Sequence, residues 1–116
     1  MSAAAFKDRL RADLKTAMQA RDTGKAALLR TLIAALDNAE AVEVEQKGYV
    51  SRPFGDPSGE VARRALDAEA INTVLAAEAT SRLAAASDYE RHGRADEAKR
   101  LRGEAALVES YTQDPA

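Results

Sequence analysis

Cysteine and tryptophan are missing from this 116-residue chain, and histidine occurs once. Without cysteine there are no disulfide staples, no thiol nucleophile and no cysteine-ligated metal. A single histidine rules out every site that requires two, the common zinc arrangements among them. Aromatic residues make up only 4% of the chain, and with six valines there is little strand-forming material. Long apolar runs are lacking too. The stretches Ala26 to Leu29 and Leu32 to Leu36 fall far short of the roughly 20 residues that a bilayer-spanning helix demands. Met1 to Phe6 lead straight into Lys7, Asp8 and Arg9, so no signal-peptide core is expected and the location is expected to be cytoplasmic, without membrane contact.

What is present is alanine. There are 27 alanines against 26 larger apolar residues, and alanine is the best helix former. The length suits one domain, residues 1–116, with no room for separate cofactor and substrate domains. The expected fold is therefore all-α, with a thin, close-packed core.

Spacing divides the chain into four helices. Helix 1 is predicted over about 3–21, with Ser2 as N-cap and Phe6, Leu10, Leu14, Ala17 and Met18 on one face. Asp22 or Thr23 caps a second helix over about 25–46, Gly24 relaxes the backbone between them, and Leu28, Leu29, Leu32, Ile33 and Leu36 form the stripe. Residues 47–59 hold two prolines and three glycines and read as a loop carrying Tyr49 and Phe54. A short helical turn is expected from Glu60. Asp67 caps helix 3, about 67–91, with Ile71, Val74, Leu75, Ala79, Leu83, Ala86 and Tyr89 inward. His92-Gly93 stops it, and helix 4 follows over about 94–111 with Ala98, Leu101, Ala105 and Val108 inward, before Thr112 to Ala116 fray. Short connections predict two antiparallel helical hairpins, joined by the Pro/Gly-rich loop into a small bundle.

Catalytic constellations are hard to build from these residues. His92 sits in a turn with no nucleophile in a base-and-orienter arrangement. The pairs Glu43/Glu45 and Asp96/Glu97 are too close in sequence to face one another on a helix. Gly55 to Gly59 lacks the lysine and spacing of a phosphate-binding loop. The expectation is no catalytic residue, no cofactor, no metal and no small-molecule substrate.

Charge distribution is more informative. Residues 1–38 hold seven Lys/Arg against four Asp, residues 39–60 two against five, and residues 61–116 eight against ten. The basic region is thus the first two helices. Lys7, Arg11 and Lys15 recur every four residues beside the apolar stripe, and like charges at that spacing cost about 0.2–0.5 kcal/mol each. With Arg30 and Arg94 they form the candidate anion- or RNA-binding set, against the plainer reading of a face neutralised by Asp8 and Asp13. In helix 4, Asp96 is expected to pair with Arg100, and Arg100 with Glu104, leaving Arg91 and Arg94 without obvious partners. Asp96 fits a first-turn role, where a carboxylate complements the helix dipole. Tyr49, Phe54, Arg82 and Tyr89 are the candidate partner-binding residues, with Arg82 and Tyr89 alternatively anchoring Glu90 or the opposite hairpin.

An ordered set of short patterns runs through the chain. Leu10, Asp13-Leu14-Lys15, Ala17-Met18, Arg21-Asp22, Leu29-Arg30 and Ala34-Ala35-Leu36 through Asn38 are followed by Ala70-Ile71, Val74-Leu75, Arg82, Ser87, Tyr89-Glu90, Gly93 to Asp96, and Glu104. From about Phe6 to Tyr111 this set resembles the N-terminal helical domain of YqeY-like proteins. The Tyr-Glu-x-x-Gly-Arg-x-Asp stretch at 89–96 is its most specific piece. YqeY-like proteins are similar to the helical tail of the B subunit of the glutamine-dependent aminoacyl-tRNA amidotransferase. In that enzyme the tail contributes to engaging tRNA while amide transfer takes place elsewhere. The resemblance implies a non-catalytic helical adaptor with tRNA or a translation-related protein as partner. A protein-interaction or homo-oligomer module without nucleic acid is the alternative. An accessory part of an amidotransferase-like, carbon–nitrogen ligase system comes third. In the family a Tyr-Leu-Pro segment and a second small helical domain follow helix 4, whereas here Tyr111 is followed by Thr112 to Ala116, so the family's C-terminal domain is expected to be absent. The 47–59 loop, longer and richer in proline, is a second departure.

Overall fold

The computed structural model describes residues 2–46 and 66–113. The predicted loop 47–59, with Tyr49 and Phe54, and the turn expected from Glu60 lie outside these residues. Four helices and no strand make up the described part: α1 (Ala3–Gln19), α2 (Thr23–Gln46), α3 (Ala68–Arg91) and α4 (Ala95–Ser110). None of them is long and apolar enough to cross a membrane. The described residues are all-helical, in line with the alanine content.

Local chemistry sets the helix ends. The side chains of Ser2, Asp22 and Asp67 accept the backbone N–H of the residue three further on, at 3.1, 3.1 and 2.8 Å. Each satisfies an N–H that the first turn leaves unpaired, a contribution of about 1 kcal/mol. Two helices end alike. Beyond α3, Gly93 adopts φ 75° and its N–H donates to the Glu90 carbonyl, while the Arg94 N–H donates to that of Tyr89. Beyond α1, Arg21 adopts φ 58°, its N–H reaches the Met18 carbonyl, and the Asp22 N–H reaches that of Ala17. Both are six-to-one turns with one left-handed residue.

The second turn corrects the sequence reading. Gly24 was expected to relax the connection, yet it lies inside α2 and Arg21 takes the left-handed position. The reason is register. Asp22 must sit outside the helix to cap α2, so the residue before it closes α1. That stops α1 at Gln19 rather than 21 and starts α2 at Thr23 rather than 25. Asp67, Arg94 and Tyr111 likewise stand as caps just outside their helices.

α1 packs on α2, α3 packs on α4, and α2 touches α3, which makes a small helical bundle. Phe6, Leu10, Leu29, Leu32, Leu36, Ile71, Leu75 and Val108 are its largest fully buried side chains. Ala17, Ala26, Ala79 and Ala105 fill the same cluster, small residues that let helix axes approach closely. Replacing Leu32 by alanine is expected to cost roughly 2–5 kcal/mol, and a denaturant melt showing a loss below about 1 kcal/mol would remove Leu32 from the core.

Tyr89 and Leu101, expected inward, are only partly buried, and two other expected stripe members face the solvent. Met18 is 53% exposed and Leu83 42% exposed. Burial on α1 follows Ala3, Phe6, Leu10 and Ala17, so position 18 has rotated past the seam, where an Arg30 guanidinium nitrogen lies 3.5 Å from its sulfur. On α3 the seam follows Ile71, Leu75, Ala79 and Ala86, which leaves 83 facing outward.

Candidate functional site

The proposed basic stripe of α1 comes apart in three dimensions. Lys7 is turned toward α2, its Nζ 2.9 Å from Asp37 Oδ1 and 3.0 Å from Glu40 Oε1. Burial pulls the Lys7 pKa down, but the hydrogen bonds and charges of Asp37 and Glu40 outweigh it, and the net shift is upward. Glu40 is the one charged residue buried among the described residues, so Lys7 is its counter-ion rather than a surface cation. Arg11 remains exposed and pairs with Asp8 at 3.1 Å. Lys15 and Arg30 are exposed, and neither forms an ion pair with a described residue.

The candidate residues of the second half are also engaged. Arg82, named as a partner-binding residue, is largely covered and bridges Glu78 at 2.7 Å and Glu104 of α4 at 3.2 Å. It ties α3 to α4, with Glu78 and Glu104 as partners rather than Glu90 or a residue of the first two helices. A second tie between these helices joins Arg102 to Glu90. Arg94 lies over the Tyr89 ring at 5.7 Å and bonds Glu97 at 2.6 Å. The hydrogen bond between them raises the Arg94 pKa and lowers that of Glu97. Arg91, expected to be free, pairs with Asp88. Arg100 bonds Glu104 at 2.5 Å as expected, but Asp96 has no ion pair among the described residues. The Arg94 guanidinium takes Glu97, one turn along, instead. His92 is exposed at the end of α3, its Nδ1 2.7 Å from the Asp88 carbonyl oxygen.

The cations that stay available gather elsewhere. Lys15 near the end of α1, Arg21 in the turn, and Lys25 and Arg30 in the first turns of α2 surround the α1–α2 connection. Between Leu14 and Leu36 the one acidic residue is Asp22, and its carboxylate is occupied with the Lys25 N–H. The contact of Arg30 with Met18, one turn beyond Lys15, brings the α1 and α2 members of this group side by side. Arg21 and Lys25 were not singled out from the sequence. The run of cations around a lone acid was the signal available for finding them.

Another unanticipated centre lies at the end of α4. Tyr111 is buried, meets Phe6 edge to face at 6.2 Å, and donates its hydroxyl to Asp13 Oδ2 at 2.5 Å. The Arg9 guanidinium sits 5.0 Å from its ring centre. Beyond it, Asn72 and the Gln113 backbone exchange two hydrogen bonds, at 2.8 and 2.6 Å. Fraying was expected from Thr112 onward, but this exchange holds Gln113 against α3. Three residues past Val108, Tyr111 continues the inward spacing of α4, and that pattern was readable.

Among the described residues no group of three or more His, Asp or Glu side chains is placed to hold a metal ion. No protein-family model and no curated protein matches the chain.

Proposed function

We propose that the chain is a non-catalytic helical adaptor of YqeY-like type, cytoplasmic and associated with tRNA or the translation machinery, which meets RNA through the α1–α2 connection. The observation that carries the RNA contact is the cluster Lys15, Arg21, Lys25 and Arg30 around a single, already engaged carboxylate. Cations without an ion-pair partner among the described residues bind phosphates without first breaking such a pair, and each phosphate neutralised releases counter-ions from the nucleic acid. In this reading the helices are two antiparallel hairpins. The pairing of Lys7 with Asp37 and of Met18 with Arg30 follows an antiparallel register in the first, and that of Arg82 with Glu104 and Glu90 with Arg102 does so in the second.

Titration of labelled tRNA at two salt concentrations tests the reading. Lys15→Ala and Arg30→Ala are each expected to lower the salt slope by about 1, as the loss of one phosphate contact does. Arg94→Ala, which removes a cation already held by Glu97 and Tyr89, is expected to leave the slope unchanged. Absence of binding at low salt, where phosphate contacts are strongest, removes RNA from the proposal. No amide-transfer step belongs to it, and a glutaminase assay of the pure chain is expected to be blank.

A further inference from the structure

Between the first turns of α2 and the middle of α4 runs an open groove of about 480 Å³. Gly24, Lys25 and Leu28 line it from α2, and Arg100, Gly103 and Leu107 from α4. We infer that this groove docks an acidic amphipathic helix of a partner protein, two turns of it seated between α2 and α4, which goes beyond the RNA contact proposed above and stands without it.

Three observations converge on that occupant. The first is charge. The two carboxylates on the groove are already spoken for: Asp22 accepts the Lys25 N–H, and Glu104 holds Arg82 with one oxygen and Arg100 with the other. The lining as a whole carries Lys25, Arg82 and Arg100 against Asp22 and Glu104, a positive balance that an acidic partner complements. Arg100 is also free to turn. Because Arg82 remains on Glu104 and is itself largely covered, Arg100 leaves for an incoming carboxylate without stranding a buried charge.

The second is the floor. Gly24 and Gly103 both lie inside helices, and a side chain at either would meet nothing within 4 Å. Glycine there weakens the helix relative to alanine and answers no packing need among the described residues. What it does is let another backbone come close to both helices. The third is shape. The α2 lining spans residues 24–31 and the α4 lining residues 100–107, positions separated by three and four, so each wall presents about two turns of helical ridge. Ridges at that spacing receive the ridges of a third helix, with Leu28 and Leu107 supplying the apolar contact. A phosphate backbone makes poor use of those two leucines, which is why protein is favoured over nucleic acid at this place.

The probe is a synthetic helical peptide of about 20 residues, long enough to hold helix in water, with a leucine–alanine face flanked by glutamates. Its twin carries lysine in place of each glutamate. The full chain is expected to bind the glutamate peptide, with backbone amide shifts at Gly24, Lys25, Arg100 and Gly103, and to bind the lysine twin at least about tenfold more weakly. Gly103→Leu fills the groove while raising helix propensity, so it is expected to melt no lower than the parent and to lose peptide binding by about tenfold or more. Arg100→Ala weakens binding several-fold, more at low salt than at high. Lys15→Ala and Arg30→Ala leave it unchanged, which separates this groove from the RNA surface. Absence of binding by the glutamate peptide, or binding indifferent to Gly103→Leu, overturns the inference. So do RNA shifting the Arg100 and Gly103 amides, which lie outside the RNA cluster, and a second copy of the chain protecting all four. If tRNA fails to bind while the glutamate peptide binds as stated, the RNA reading falls and the groove remains.

Discussion

Replacing Lys7 with methionine lowers the unfolding free energy by roughly 3–5 kcal/mol at neutral pH, the range for removing one partner of a buried ion pair. Methionine keeps the apolar length of the lysine stem, so the loss reports the carboxylate left behind rather than a cavity. Glu40, 5% exposed, is that carboxylate. Asp37 is partly exposed, recovers water, and adds little. The double variant Lys7→Met, Glu40→Leu removes both partners and is expected to regain most of the loss. Urea melts of the four proteins give the coupling directly. A loss below about 1 kcal/mol for Lys7→Met would return Lys7 to the solvent and to the list of anion-binding candidates.

The same pair has an alkaline signature. The folded chain holds the Lys7 proton more tightly than the unfolded chain does, because Asp37 and Glu40 more than offset the cost of burial. Its contribution is therefore complete below the ordinary lysine value of 10.5, and is lost as pH rises beyond that through the raised folded value. Stability of the parent falls in that window by an amount that Lys7→Met no longer has to lose.

Lys7 also shows what a sequence conveys and where it stops. The caps Ser2, Asp22 and Asp67 act on residues three positions away, and local pattern found all of them. The alanine-rich helices and the buried leucines followed from periodicity for the same reason. The stripe Lys7, Arg11, Lys15 was a true helical spacing, yet it predicted the wrong surface. The partners of Lys7 lie 30 and more residues away on α2, and no spacing within α1 reports them. Arg82 is a parallel case, since the Glu104 that fixes it belongs to another helix. Arg21 failed for a different reason. Propensity assigns the left-handed position to the nearest glycine, but the need for Asp22 as a cap decided which residue took it. Met18 failed because a stripe read at three and four residues drifts around a real helix and its last member leaves the seam, and Leu83 failed because the α3 seam passes from Ala79 to Ala86 without it.

Tyr111→Ala is expected to destabilise the chain by roughly 3–5 kcal/mol, the loss typical of deleting a large buried aromatic side chain. Its ring is the place where α4 meets α1: against Phe6 on its edge, beneath Arg9, with its hydroxyl on Asp13. The α1–α2 and α3–α4 packings do not depend on it, so the loss measures how the two halves hold each other. Tyr111→Phe keeps the ring and removes the hydroxyl, and is expected to cost about 1–2 kcal/mol because the hydrogen bond goes to a charged acceptor. A pH series reads the burial of the phenol and this bond together. Burial, and then the Asp13 carboxylate, push the Tyr111 phenol from its ordinary 10.0 up to about 12, against a small opposing effect of Arg9. The folded state thus keeps the phenol proton that the unfolded chain gives up. The contribution is complete below pH 10.0 and disappears between there and about 12. Tyr111→Phe has no phenol to ionise, so its stability is expected to fall less steeply than the parent's across that interval, and the two curves converge as the pH approaches 12. Parallel curves would mean that neither burial nor the Asp13 bond perturbs the phenol, and a loss below about 1 kcal/mol for Tyr111→Ala would mean that the halves are held by Phe6, Leu10 and Ile71 without it.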